Sequence, residues 1–549
     1  MEPALSIDKR MQQYRRPHER PFKVEERDNV TILVGGLTRK HEEFIRAVFQ
    51  GSGHKCELLS VPNQEAFNLG KEFGNNGQCS PAYFTSGALI QYLRRLEAEG
   101  MSRRDIVDNY LYFTAGSCGP CRFGMYAAEY RLALQNAGFD GFRVLRFQQD
   151  DGIFQKEQAP GLRYSIDFGL GMLKVLYLGD MLNDLTHNIR AYEVNAGETT
   201  RVMDLCMQDL CDHLRTYKSK DLPKWVMTRL ANRNILRGLI HFIYKMHQHM
   251  RGQEFSDVLE RCRQRIDGIA IDRLRLRPIV KIIGEFWAQT TEGGGNYQMF
   301  QFLENEGAQV QPEAIGTWIS FLLAHAKMQM YPKRGMDSQC REPATLGQKL
   351  ANEAGFQKKR ALLTLGERLY TGQYHGIIKA MGDTAHTLVP QKQLAHLANP
   401  FFQPLARGGE GYLEIGKNIY YHKNKLCHMV LSLKPFGCLP SSQSDGIQSA
   451  VTSRFKDMIY LPVETSGEGE VNAHSRVQMA LGEAKVKAKT EFQEALAGTG
   501  RKIEDIRAFV DRHPELRRPF YKVPHRPGVA GVAANFVLHV DDLMAGRSA

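Results

Sequence analysis

Three short segments of this chain share one design. Cys79-Ser-Pro81, Cys118-Gly-Pro120 and Cys438-Leu-Pro440 all read Cys-x-Pro. With 10 Cys and 22 Pro in 549 residues, chance would supply roughly 0.4 such pairs. The second also carries Cys121, giving Cys-Gly-Pro-Cys inside Thr114-Ala-Gly-Ser-Cys-Gly-Pro-Cys-Arg-Phe-Gly124. That spacing suits a redox dithiol, a zinc knuckle or an iron–sulfur ligand pair. A proline is tolerated in the first turn of a helix, where its missing N–H would be unpaired anyway. Each cysteine is therefore expected just before a helix N-terminus, where free N–H groups and the helix dipole stabilise a thiolate.

The elements around them alternate. Strands are expected at 30–34, 56–61, 110–114 and 143–147, with helices at 41–50, 82–96 and 126–136. This pattern argues a parallel, doubly wound α/β sheet over 29–164. Loops at the carboxyl ends of such strands open on one crevice. Four thiolates from scattered loops, Cys79, Cys118, Cys121 and Cys438, would suit a 4Fe–4S cluster. The rivals are a thioredoxin-like dithiol, though Ser117 precedes the motif where thioredoxins carry tryptophan, structural zinc without a second close ligand pair, and ordinary buried thiols. Cys340, in a loop, is a reserve ligand. Cys56, Cys206, Cys211, Cys262 and Cys427 read as packing residues.

The texture then changes. Residues 165–275 read as a helical insert, with Val202, Leu205, Cys206, Leu210 and Leu214 on one helix face. A second α/β domain, 276–405, opens with the strand 279–284 and the loop Gly284 to Asn296, where Glu285 is an acid/base candidate and the glycine N–H groups could face phosphate. A third α/β unit, 406–549, carries Cys438, strands at 428–433 and 458–461, and a C-terminal helical tail. Residues 1–28 form a basic arm. The polar stretch 464–476, with Glu468, Glu470, His474 and Arg476, reads as a solvated loop capping a helix. His241, His247 and His249 read as structural. No internal repeat is visible.

The bulk numbers bound the rest. A chain of 549 residues implies roughly three to four domains. No apolar run reaches the ~18 residues of a membrane helix, and the N-terminus has no secretory h-region. A cytoplasmic protein is expected. The net charge of +12 fits phosphates or an acidic partner. No nucleic-acid-binding motif accompanies it.

Residues 114–126, 284–297 and 434–440 together resemble the 2-hydroxyacyl-CoA dehydratase and double-cubane cluster protein superfamily. The nearest likeness is to its large activase-associated branch, over nearly the whole chain from about residue 28. The resemblance implies several Rossmann-like parallel-sheet domains with helical inserts. It implies an iron–sulfur cluster, 4Fe–4S or a double-cubane 8Fe, held by Cys79, Cys118, Cys121 and Cys438. It implies a reductase or dehydratase system fed with low-potential electrons by an actin-like ATPase activase. A related iron–sulfur subunit, an acyl-CoA substrate and a homo- or hetero-oligomer belong to the same expectation. The activase's own phosphate-binding motifs are missing, so ATP hydrolysis is not expected of this chain. Four cysteines, where dehydratase subunits commonly use three and leave one iron open, point toward a closed electron-transfer cluster or a larger double cluster that recruits more ligands. A non-catalytic relay or scaffold subunit is the alternative.

Overall fold

The computed structural model describes residues 19–116, 121–148, 160–229, 234–334, 346–406 and 408–547. Residues 1–18 of the arm, Cys118 and Cys340 lie outside them.

Two four-stranded parallel sheets organise the chain. The first contains β1 (Thr31–Val34), β2 (Lys55–Leu58), β3 (Tyr110–Gly116) and β4 (Arg143–Gln148), in the order β2-β1-β3-β4. The second contains β5 (Ile279–Gly284), β6 (Gln309–Gln311), β7 (Met429–Pro435) and β8 (Tyr460–Thr465), in the order β6-β5-β7-β8. The same strand order is thus used twice, although no repeat is legible in the residues. The expectation of an α/β fold with helical elements is met.

Both faces of each sheet are covered, which is why β1, β5 and β7 are apolar-rich and buried along their whole length. Ile32 and Val34 join one core, with α1 (Arg39–Gly51) and the helices Ile166–Arg190 and Glu198–Thr216. Leu33, on the opposite face, joins another, with α2 (Gln64–Phe73), α3 (Ser80–Ala98) and the helix Tyr126–Asn136. Val280, Ile282, Leu431 and Leu433 pack beneath the helices Met299–Asn305 and Glu470–Thr499.

Several boundaries differ from the sequence reading. The segments divided at residue 405 share one sheet, because β5 pairs with β7 from Val280↔Met429 to Gly284↔Leu433. A three-residue β6 beside β5 exposes too much backbone to stand as a sheet alone. The helices Ile315–Met328, Leu346–Ala380, Gln391–Ala398 and Tyr412–Lys423 are inserted between β6 and β7. Residues Leu439–Arg454 form one helix that starts directly after Cys438. The last strand begins at Tyr460 rather than 458. Leu205, placed on an apolar face, is 38% exposed.

Candidate functional site

Cys79 is the N-cap of α3, in extended backbone (φ −77°, ψ 153°), with Pro81 in the first turn. Cys438 caps the helix Leu439–Arg454 in the same way (φ −76°, ψ 116°), with Pro440 in its first turn. Cys121 precedes a 3-10 turn, Arg122–Met125, that runs into the helix Tyr126–Asn136. Cys79 and Cys438 therefore stand where the Cys-x-Pro spacing places them, at the mouths of helices, while Cys118, the third such cysteine, lies outside the described residues.

Topology brings them together. In the order β2-β1-β3-β4 the crevice opens at the carboxyl ends of β1 and β3. Cys121 follows β3, and Cys438 follows β7, which holds the same position in the second sheet. The Cys79 and Cys438 loops are joined by a hydrogen bond from Ser80 N–H to the Phe436 carbonyl, 3.1 Å. Gly437, at φ +75°, lies over Cys79. A Cβ there would stand 3.4 Å from Cys79 Cα and from Arg122 Nη1, and 3.2 Å from the Gln78 carbonyl. Arg122 in turn donates to the Gly77 carbonyl. Tyr126 Oη and Cys79 Sγ are 3.0 Å apart. Glu129 anchors the preceding loop by accepting from Asn75 N–H at 2.6 Å and from Gln78 Nε2 at 3.3 Å. Behind Cys438, the buried Glu414 accepts from Ser432 Oγ at 2.7 Å and pairs with Lys434 at 2.8 Å. It also accepts from Ser444 Oγ, locking the Cys438 helix onto β7.

A carboxyl pair completes the site. Glu285 caps the helix Phe286–Thr290, accepting from the N–H groups of Trp287 and Ala288, both at 3.0 Å. Glu410 accepts from Phe286 N–H. Burial pushes Glu285 up to about 7. Burial, with the charge of Glu285 beside it, pushes Glu410 up to about 8. Both carboxyls are thus shifted toward their protonated form.

The thiols do not behave as the helix-dipole argument predicts. Burial raises all three, and Glu285 raises them further. Cys121 is pushed up to about 12, against the lowering effect of Phe123 N–H. Desolvation and neighbouring carboxylates outweigh a helix terminus here. Cysteine sulfur is the donor type that iron–sulfur and other thiophilic metal centres use, and the loops that carry these three cysteines lie together. Among the described residues no group of three or more His, Cys, Asp or Glu side chains is placed so that it could hold a metal ion.

The glycine-rich loop serves packing. Gly293 lies against Val61 and the Pro62 carbonyl, Gly294 N–H donates to that carbonyl at 2.9 Å, and a Cβ on Gly295 would strike Trp287. These glycines let the second sheet's loop dock on the first, and the expectation that they face phosphate is not met. The stretch 464–476, expected as a loop capping a helix, is helical from Glu470 on, and His474 stacks on Phe302, ring centroids 4.0 Å apart, and bonds the Tyr297 carbonyl at 2.8 Å, a packing role. Cys206, Cys211 and Cys262 are core residues. Glu410, Arg122 and Tyr126 escaped the sequence reading. The last two lie inside the quoted motif, but Glu410 carries no local signal and is placed only by the fold.

Comparison with protein-family models and with curated proteins finds no match to this chain.

Proposed function

We propose that this chain is the iron–sulfur component of an ATP-activase-dependent reductase or dehydratase system. It takes low-potential electrons from an actin-like ATPase partner for a substrate that is hard to reduce, such as an acyl-CoA. The observation that carries this reading is the contact between the loops that hold Cys79, Cys121 and Cys438, which come from both sheets, with the buried carboxyls Glu285 and Glu410 acting on Cys121 and Cys438.

Cys79, Cys121 and Cys438 would hold the cluster, with Cys118 as the fourth ligand. When bound, a cubane cluster supplies one-electron transfer at a potential tuned by its surroundings. The chain's own residues supply those surroundings. Tyr126 Oη stands 3.0 Å from Cys79 sulfur, and a hydrogen bond donated from it would favour the thiolate form. Arg122 brings a positive charge that acts on Cys79. Glu285 and Glu410 can take up a proton when negative charge arrives, keeping net charge in the buried site nearly constant. The net positive charge suits CoA phosphates or an acidic partner.

Anaerobic purification from anaerobically grown cells, with iron and sulfide analysis and EPR after reduction, tests the proposal. A brown protein with about four or eight irons is expected, and Cys438→Ser should lose most of them. A colourless, iron-free protein overturns it. Reduction by an activase with no turnover of any acyl-CoA would assign the chain as a relay rather than a catalyst.

A further inference from the structure

The helix Glu470–Thr499 is apolar on two opposite faces. One face turns Ala473, Val477, Leu481 and Ala484 into the core against the second sheet. On the far side, Val471, Met479 and Val486 are 81, 73 and 64% exposed. Spacings of eight and seven residues put all three on one face, along about 22 Å of helix. Ser475 and Gly482 occupy the positions between them and are exposed as well. A Cβ on Gly482 would meet nothing within 4 Å. A single exposed apolar side chain needs no explanation, but a row of them along a rigid helix marks a contact surface.

Two charges border this row on one side. Arg476 donates Nη2 to the Pro462 carbonyl at 3.0 Å. Glu483 follows it seven residues later, with the opposite sign. Lys485 is engaged elsewhere, 3.6 Å from Glu306, whereas Arg476 and Glu483 form no ion pair among the described residues. The midpoint between them falls at Met479 and Ala480, in the middle of the apolar row.

That arrangement is self-complementary. A second copy of the helix, running antiparallel about a two-fold axis at Met479, sets Arg476 of each chain opposite Glu483 of the other, twice. In the same register Met479 packs beside its own copy, Val471 lies between Val486 and Thr490 of the second chain, and Ser475 faces Gly482. Small side chains meet large ones, so the backbones approach closely. The end carrying Lys489 falls beside the other chain's Glu470.

We propose that this face is the interface of a homodimer, covered by a second copy of the chain. A partner of one charge sign would find both signs here, in the order that a two-fold axis requires. One helix pair falls short of the ~1,200 Å² of a stable interface, so the association is reversible and depends on concentration. The interface is remote from the cysteine loops in its chemistry and stands whether or not the chain carries iron.

Sedimentation velocity of the full-length protein over a range of concentrations tests it. The mean mass should climb from one chain toward two as concentration rises. Met479→Glu, at a solvent-facing position, should weaken association by about tenfold or more. Arg476→Glu and Glu483→Arg should each weaken it alone, because each sets like charges face to face twice. An equimolar mixture of those two variants should dimerise as the parent does, because both ion pairs re-form between unlike chains. That rescue separates an antiparallel two-fold interface from misfolding and from a surface meant for another protein. A monomer at every concentration, a dimer indifferent to Met479→Glu, or a mixture no more associated than its components overturns the proposal.

Discussion

Replacing Gly87 by alanine should damage the protein far more than the same change at most helical glycines. Gly87 lies in α3 against Ala66 of α2, and Gly70 of α2 lies against Tyr83 of α3, so the two backbones touch at paired positions four residues apart. A Cβ at Gly87 would lie 1.6 Å from the Ala66 carbonyl oxygen and 2.6 Å from its carbon. An ordinary carbon–oxygen contact needs about 3.3 Å, so α2 and α3 must separate by about 1.7 Å along that direction. Overpacking of this kind costs about 3 kcal/mol, and the better helix propensity of alanine returns about 1. A net loss near 2 kcal/mol is expected. Gly355 is the matched control: it is helical, and a Cβ there meets nothing within 4 Å. Gly355→Ala should gain up to about 1 kcal/mol. Urea unfolding of the two variants, followed by hydrogen exchange of α3 amides, reads the difference. Because Cys79 caps α3, Gly87→Ala should also speed alkylation of Cys79. A Gly87→Ala protein as stable as its parent would refute the close-contact argument.

Three further outcomes are expected. In the metal-free protein, Cys121, pushed up to about 12 from an ordinary 9, should alkylate at pH 8 about a thousandfold more slowly than a free thiol; Glu285→Gln should speed it, and labelling at the free-thiol rate would count against the buried acidic site. Burial raises Glu313, but Lys281 and Lys417 more than offset this and hold it near 2, below its ordinary 4.5. Its folded value is depressed, so its roughly 3 kcal/mol of stability is fully present above pH 4.5 and lost as pH falls toward 2; Glu313→Gln should flatten that limb in pH-dependent unfolding, and an unchanged limb would contradict the pairing. Gly437→Ala, at φ +75° and against Cys79, should cost about 1 kcal/mol and lower the exchange protection of the Ser80 amide, which donates to Phe436.

Much of the first sheet was legible because its signals are local. The strand at 31–34, the helix starting after Pro81 and the helix 126–136 follow from apolar runs, alternation and a proline in a first turn. The helix over 470–499 was not, because Val471, Met479 and Val486 point to solvent and blur its stripe. The second sheet was divided because β5 and β7 are separated by more than 140 residues, and pairing across such a distance leaves no trace in either strand. The same limit hid Glu410: its neighbours Phe286 and Glu285 are remote in sequence.

The residues by themselves determined that Cys79 and Cys438 cap helices, because proline's missing N–H and fixed φ specify a first turn without help from the rest of the chain. They could not determine what those thiols experience. Only the tertiary structure set β3 and β7 at equivalent crevices, bonded the Cys79 loop to the Cys438 loop, and buried two carboxyls beside them. Desolvation depends on every atom that excludes water, and electrostatics on every charge brought near. Both are properties of the packed chain, and here they reverse the sign of the shift that a helix terminus alone would impose.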